Sequence, residues 1–515
     1  MVSFFSFNLK SDPESGVSYN NYSTPRSRRR QLACVSLGSL SMVIFLFIWN
    51  SQSHIYWQEA TPVSSPNTDH ATSSSRPTNS SSVPQTPEQS HAIELDPLHP
   101  LAVLNGPPME RFADNLRPDI QYISSWPNSG WTNDVMTYAN LVYLGLITER
   151  VPIIPPFTPS HVGWDVAPIP FGDVFDVPRM RKLIGKPILE WREVKKSDSE
   201  TLEALGCWNV WGSVQKSHSE ARGSAVLPIL KLGRPVSFLT DGCLRRTNLF
   251  CPKDISYTKT PDWIKLVPEW EHDPHTTFWT LARFAYPDTR TPNLIPPQPS
   301  PAQQLSLPPD EHLLCYDYLY YVSTQQPFEW DMDYNAPWRF VARYMHWTPR
   351  LEDLADSYVR HAMGIDPSSN EPTPPYIAVH VRRHDFAGWC GDVPLEDCFA
   401  PVSAYERRVH EVQDEILEKK GITVNHVIIL SDEDDTAWWQ QVDPLGWLRI
   451  DHSQTAEKHG PWYPVLIDAV IQSGGLGFVG TDKSTMSILA RRRAQEWHDA
   501  TYRMVRWGSA DADLH

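Results

Sequence analysis

The chain has 515 residues, 41% hydrophobic and 21% charged, which suffices for one large two-lobed core or two domains of ordinary size. Its net charge is −16, and because residues 1–31 carry five Lys/Arg against two Asp/Glu, the remainder sums to −19. That acidity excludes nucleic acid as the main partner, since phosphate backbones are bound by basic surfaces that release counterions.

Leu32 to Trp49 holds no charged residue and is just long enough to cross a hydrocarbon layer of roughly 30 Å. Arg26, Arg28, Arg29 and Arg30 precede it, and the first acidic residue beyond it is Glu59, a bias that leaves the N-terminus cytosolic and the bulk of the chain luminal. The expected order is a cytosolic tail over 1–31, a transmembrane anchor over 32–49 and a Ser/Thr/Pro-rich stem over 50–116, too poor in apolar residues to fold. Asn79-Ser80-Ser81 in that stem is an N-glycosylation acceptor. A cleaved signal peptide is the rival reading, opposed by the long tail and the lack of a small-x-small cleavage site. Cys34 lies in the span, and the other six cysteines are an even number in a compartment that permits disulfides. Cys390 with Cys398 and Cys243 with Cys251 are the nearest pairs, although six cysteines allow about fifteen arrangements. None has the CxxC spacing of a zinc or redox site.

Order is expected from residue 117. Asp119–Ser124 reads as a strand and Trp126–Asn133 as a loop. Val135, Ala139, Val142 and Leu146, at i, i+4, i+7 and i+11, place a helix next, and Val151–Ile154 before Pro155-Pro156 is a second strand. Strand, loop, helix and strand open a parallel α/β domain. The following stretch, to about residue 350, is rich in Pro and Trp and does not parse by periodicity. Beyond it, Tyr376–Val381, His426–Leu430, Trp447–Ile450 and Leu476–Val479 read as strands. They alternate with helices over Tyr405–Lys420, Thr436–Val442, Tyr463–Gln472 and Ser484–Trp497. The fold class is therefore α/β, with two Rossmann-like doubly wound lobes at 117–355 and 356–515 and a cleft where the carboxyl ends of their strands meet.

Two segments at strand ends carry the chemistry. In Ile377–Phe386, His380 and Arg382 share one side of a strand, and a guanidinium there could grip a diphosphate with two donors. The competing reading is an Arg–Asp pair that closes the strand. In Leu476–Ser487 a strand ends at Gly480 and a helix starts near Ser484, so backbone N–H groups and hydroxyls converge on one point. The competing reading there is an ordinary N-cap. Asp331-Met332-Asp333 matches D-x-D, but no hydrophobic strand precedes it, so no metal site is expected.

His380-Val381-Arg382-Arg383-His384-Asp385-Phe386 resembles the H-x-R-x-x-D-F strand end of the GDP-fucose O-fucosyltransferase family, nearest to the branch that modifies thrombospondin repeats. Phe478-Val479-Gly480-Thr481-Asp482-Lys483-Ser484-Thr485-Met486-Ser487 is similar to that family's F-x-G-T-x-x-S-T-x-S segment. Gly130-Trp131-Thr132-Asn133 resembles its Gly-rich first loop, and Phe171–Asp176 a further segment. The resemblance spans roughly residues 118–180 and 370–497. It implies a GT-B fold, a donor held mainly by the C-terminal lobe, and metal-independent, inverting transfer from GDP-fucose to a luminal glycoprotein or glycan, with no cofactor. With the anchor, that places a type II enzyme in the Golgi membrane, the endoplasmic reticulum being the alternative.

Carried over by position, Arg382 neutralises the β-phosphate as the glycosidic bond breaks. Ser484 and Thr485 hold the same diphosphate, and His380, Asp385 and Asp468 line the nucleotide or sugar pocket. Asn133, in a catalytic role, and the N–H groups of Gly130, Trp131 and Thr132 close over the donor from the other lobe. One position departs from the branch: Ser129 stands where a glutamate serves as general base. Either another carboxylate such as Asp134 takes the proton, or deprotonation is not critical, or the protein is less active. Another nucleotide sugar as donor, or a silent lectin-like or scaffold protein of the secretory pathway, are the rival functions.

Overall fold

Most strands are buried on both faces, as in covered parallel sheets, and in the second lobe they include the aliphatic runs Ile377–Val379 and Val427–Leu430. The structure, a computed structural model, describes residues 95–514 except 161, 164–165, 215–219, 233–253, 262, 264–275, 302 and 327. The expected anchor at 32–49 and the Cys243–Cys251 pair lie outside the described residues. Among the described ones, no helix is long and apolar enough to cross a membrane.

The N-terminal lobe holds β1 (Tyr122–Ser125), β2 (Val151–Ile154), β3 (Leu189–Glu190), β4 (Gly206–Asn209), β5 (Ser256–Lys259) and β7 (Leu313–Tyr316). Their order is β3-β2-β1-β7-β4-β5, with every pairing parallel. A separate pair joins β6 (Thr276–Thr277) to β8 (Val322–Ser323). The C-terminal lobe has β9 (Tyr376–Val381), β10 (His426–Ser431), β11 (Leu448–Arg449), β12 (Gly477–Thr481) and β13 (Thr501–Val505) in the parallel order β11-β10-β9-β12-β13. Strand order reverses between β1 and β7 in one lobe and between β9 and β12 in the other, and such reversals open the crevices in which doubly wound sheets bind ligands.

Five helices have twelve residues or more among the described residues: α1 (Trp131–Thr148), α2 (Pro349–Ala362), α3 (Val402–Lys420), α4 (Tyr463–Gly474) and α5 (Thr485–His498). Helix α3 stops where Gly421 takes a left-handed φ of 66° that a side chain would oppose. One apolar cluster runs from Ile123, Phe175 and Trp347 of the first lobe to Ala378, Leu466 and Ile488 of the second, so the lobes share a core. Helix α5 is the strut between them. Its Arg491 pairs with Asp331 at 3.2 Å, Glu496 pairs with Arg343, and Trp497 Nε1 donates to Arg343 O at 2.8 Å. Arg493 is buried against the Trp347 ring, 4.3 Å from its centroid.

Packing begins before residue 117, because Leu104, Phe112 and Leu116 are buried against the first sheet. Asp331 lies in a short 3-10 turn and is held by Arg491, consistent with a chance D-x-D. Cys390–Cys398 forms, and Cys207–Cys315 ties β4 to β7.

Candidate active site

Thr481, the last residue of β12, knots the C-terminal crevice together. Its hydroxyl accepts from Arg382 N at 2.9 Å and donates to His380 O at 3.1 Å, and it meets Tyr405 Oη at 2.8 Å. Its N–H donates to Ser487 Oγ at 3.1 Å. This knot fixes the end of β9 against the start of α5. A Cβ on Gly480 would stand 2.8 Å from Ser487 Cβ, so only glycine lets α5 seat this closely on β12. Lys483 takes the left-handed φ of 64° in the tight turn that follows.

Arg382 emerges from this knot with its fork held by two carboxylates. Nη2 lies 2.9 Å from Asp385 Oδ1, and Nη1 lies 3.0 Å from Asp432 Oδ2, an ion pair without hydrogen-bond alignment. Burial raises the Asp432 carboxyl, and the Arg382 charge works against that rise. The Arg–Asp pair anticipated as a competing reading is thus present, and 28% of the Arg382 side chain remains exposed. Neighbouring Arg383 is pinned elsewhere, on Glu433 at 2.5 Å and over the Phe399 ring.

His380 is not open to the cleft: it is 5% exposed, with Nδ1 2.7 Å from Ser487 Oγ. Burial, then the Arg382 charge, lowers its pKa to about 3. The unfolded ring protonates near its ordinary value, so this stability is present above about pH 6.5 and is lost as pH falls toward 3. His380→Gln should remove that dependence. In urea titrations the stability advantage of wild type over variant is expected to shrink by about 3 kcal/mol from pH 7 to pH 4, at about 1.4 kcal/mol per pH unit. Asp317, raised by burial to about 6, acts in the opposite sense in both proteins and cancels in the difference. A constant difference would contradict a neutral buried His380.

Ser484 caps α5, its side chain accepting from Ser487 N, so the N-cap reading holds too. Thr485 Oγ1 meets Thr132 Oγ1 across the lobes at 2.7 Å. Thr132 is the second residue of α1, so this contact brings two helix N-termini together, each with N–H groups that have no intrahelical acceptor. The Trp131 indole is not part of that opening: it is 5% exposed and stacks on Trp347 and Phe175 in the core, leaving only its backbone N–H on the loop. The Asn133 side chain is partly exposed and makes no hydrogen bond among the described residues.

Asp134 is not placed to act as a base. It is fully buried, and Oδ1 accepts from Asn128 N and Ser129 N, both at 3.1 Å. Burial pushes its carboxyl well up. It shapes the first loop instead. Ser129 Oγ lies 2.6 Å from Tyr318 Oη, so the position noted as departing from the resembled branch carries a hydroxyl paired with a phenol. Asp317, the first residue after β7, accepts from the N–H groups of Val210, Arg222 and Tyr318 at 2.8–2.9 Å and fixes that corner. Asp468, on α4, has its Oδ1 2.7 Å from Nε2 of His452, which follows β11.

Thr481 and Ser487 are fixed positions of the F-x-G-T-x-x-S-T-x-S segment, which assigned them no role. Asp432, Asp317 and Tyr318 were not singled out from sequence, and of these Asp432 and Asp317, each directly after a strand, carry a readable signal. No group of three His, Cys, Asp or Glu able to hold a metal occurs among the described residues.

Two parallel α/β lobes, with two helix N-termini touching through Thr132 and Thr485, have the architecture of GT-B type. The GDP-fucose protein O-fucosyltransferase family matches residues 122–402, more than half of the chain. The chain belongs to that family and is a fucosyltransferase that uses GDP-fucose. Among solved structures it is similar to POFUT1 in complex with GDP-fucose, at 15% identity over 76% of this chain and 99% of that one, with a TM-score of 0.42. It is also similar to fucosyltransferase NodZ from Bradyrhizobium, at 12% identity over 72% and 93%, with a TM-score of 0.35. No curated protein matches the chain.

Proposed function

We propose that the protein transfers fucose from GDP-fucose to a hydroxyl of a luminal glycoprotein or glycan, with inversion and without a metal. The 32–49 segment would hold it in the membrane of the Golgi or the endoplasmic reticulum. The supporting observation is the Thr132–Thr485 contact, which sets two helix N-termini beside the crevice where Arg382 emerges.

In this reading the sugar C1–O bond breaks and its electron pair moves to the β-phosphate. Arg382, the free N–H groups at the start of α5 and the Thr485 hydroxyl stabilise that charge where it develops. Asn133 and the N–H groups of Trp131 and Thr132 close the site from the first lobe. The acceptor oxygen forms its bond to C1 from the opposite face, and its proton passes to water or to the departing GDP. Positioning provides much of the acceleration, because the leaving group needs stabilisation rather than displacement by a protein nucleophile. Asp385 and Asp432 aim the guanidinium, Ser484 and His380 brace the turn behind it, and Asp468 lines the nucleotide pocket.

Purified protein incubated with GDP-fucose, GDP-mannose and UDP-sugars in the presence of a chelator tests this. GDP release from GDP-fucose alone, with an α-linked product, is the expected result, because the donor is the β-anomer and C1 inverts. A requirement for added divalent cation, or a β-linked product, would refute the mechanism.

A further inference from the structure

We infer that His452 is a positioning residue for the nucleobase end of the donor, holding Asp468 so that one carboxylate oxygen is presented to the N–H edge of the purine. The inference rests on the GDP-fucose reading and adds to it a residue, outside both sequence motifs, that sets base selectivity.

The placement follows from sheet order. β11, β10, β9 and β12 lie side by side, and Arg382 follows β9 while His452 follows β11. Two inter-strand spacings separate them by about 10 Å, on the order of the reach from a nucleotide's phosphates to the far edge of its base. A donor whose diphosphate lies at Arg382 therefore brings its base to His452 and Asp468 when it runs along the strand ends in this direction.

The hydrogen bonds there form a directed chain. Tyr358 Oη lies 2.8 Å from Thr455 Oγ1, Thr455 Oγ1 lies 3.1 Å from His452 Nδ1, and His452 Nε2 lies 2.7 Å from Asp468 Oδ1. A threonine hydroxyl has one proton to give. If Tyr358 donates to Thr455, Thr455 donates to Nδ1, and the ring's remaining proton sits on Nε2 and goes to Asp468. Every donor then has an acceptor. Thr455 is fully buried and Tyr358 stacks on the His452 ring, so the imidazole is fixed in position as well as in tautomer. Asp468 Oδ2 makes no hydrogen bond among the described residues, and 24% of the side chain is exposed. A carboxylate locked through one oxygen and open at the other suits an edge bearing adjacent N–H donors. Guanine has such an edge in N1–H and its 2-amino group, hypoxanthine lacks the amino group, and adenine offers an acceptor at N1.

Calorimetric titration of the whole protein with GDP and with inosine diphosphate tests the assignment. Wild type should favour GDP by about 10-fold or more. His452→Phe keeps the stacking on Tyr358 but loses the donor to Asp468. It should bind GDP about 10- to 100-fold more weakly, with the preference over inosine diphosphate reduced to near unity. His452→Gln, which restores an N–H at the position of Nε2, should recover most of the preference. A merely structural role would weaken both nucleotides alike and leave their ratio intact, and that result would overturn the proposal. So would a wild type that binds both nucleotides equally. A wild type that binds neither would instead overturn the donor reading beneath it.

Discussion

Arg382→Ala is expected to lower turnover of GDP-fucose by about 10²- to 10³-fold, the range for removing one preorganised donor from a developing anion. The loss should fall on kcat more than on KM, because the charge on the β-phosphate grows as the glycosidic bond breaks. The fold should survive the change. Thr481 binds the backbone N–H of Arg382, and that contact is kept in the alanine variant. Arg382→Lys should recover only part of the activity, since a single ammonium cannot satisfy Asp385, Asp432 and a phosphate oxygen as a planar fork can. Asp432→Asn distinguishes aim from charge. It leaves the cation in place but removes one of the two carboxylates that orient it, and a smaller loss, also in kcat, is expected. A rate for Arg382→Ala within a few-fold of wild type would show that the arginine only closes its strand.

Replacing Cys207 and Cys315 together by serine should have the largest effect on stability. The bridge spans 108 residues, and chain-entropy reasoning assigns such a loop about 4–5 kcal/mol, against about 2–3 kcal/mol for Cys390–Cys398 with its separation of 8. The effect should also reach the active site. β4 leads into Trp211 and β7 into Asp317, and the Asp317 carboxylate accepts from the N–H groups of Val210 and Trp211. Loosening the two strands would therefore release the corner that holds Tyr318 against Ser129. Chemical denaturation of the two double variants side by side checks the ranking, and equal losses would contradict it.

The C-terminal lobe was largely legible in the sequence because its central strands are buried on both faces and so read as unbroken apolar runs. Tyr376–Val381 was delimited as the structure has it, and Leu476–Val479 misses the end of β12 by two residues. β13 went unread because it is an edge strand, paired only with β12, whose partly exposed middle carries Tyr502 and Arg503. The first sheet was harder. β7 sits between β1 and β4 although it follows β1 by almost two hundred residues, and four-residue strands such as Ser256–Lys259 have no period to detect.

The candidate site divides in the same way. Arg382, Ser484 and Thr485 were legible because a strand end and a helix start announce themselves locally. Tyr318 and His452 gain their roles from partners in other elements, which no local pattern encodes, and the motif that contains Thr481 does not encode its contacts with Arg382, His380 and Tyr405. Trp131 and His380 lie within the quoted motifs, and their side chains are buried.

A crystal structure of the protein with GDP tests the central claim most directly. The β-phosphate should lie within hydrogen-bond distance of the Arg382 guanidinium and of the first N–H groups of α5, with Thr132 and Thr485 at its rim. Nucleotide bound elsewhere, or a diphosphate that leaves Arg382 engaged solely with Asp385 and Asp432, would contradict the account.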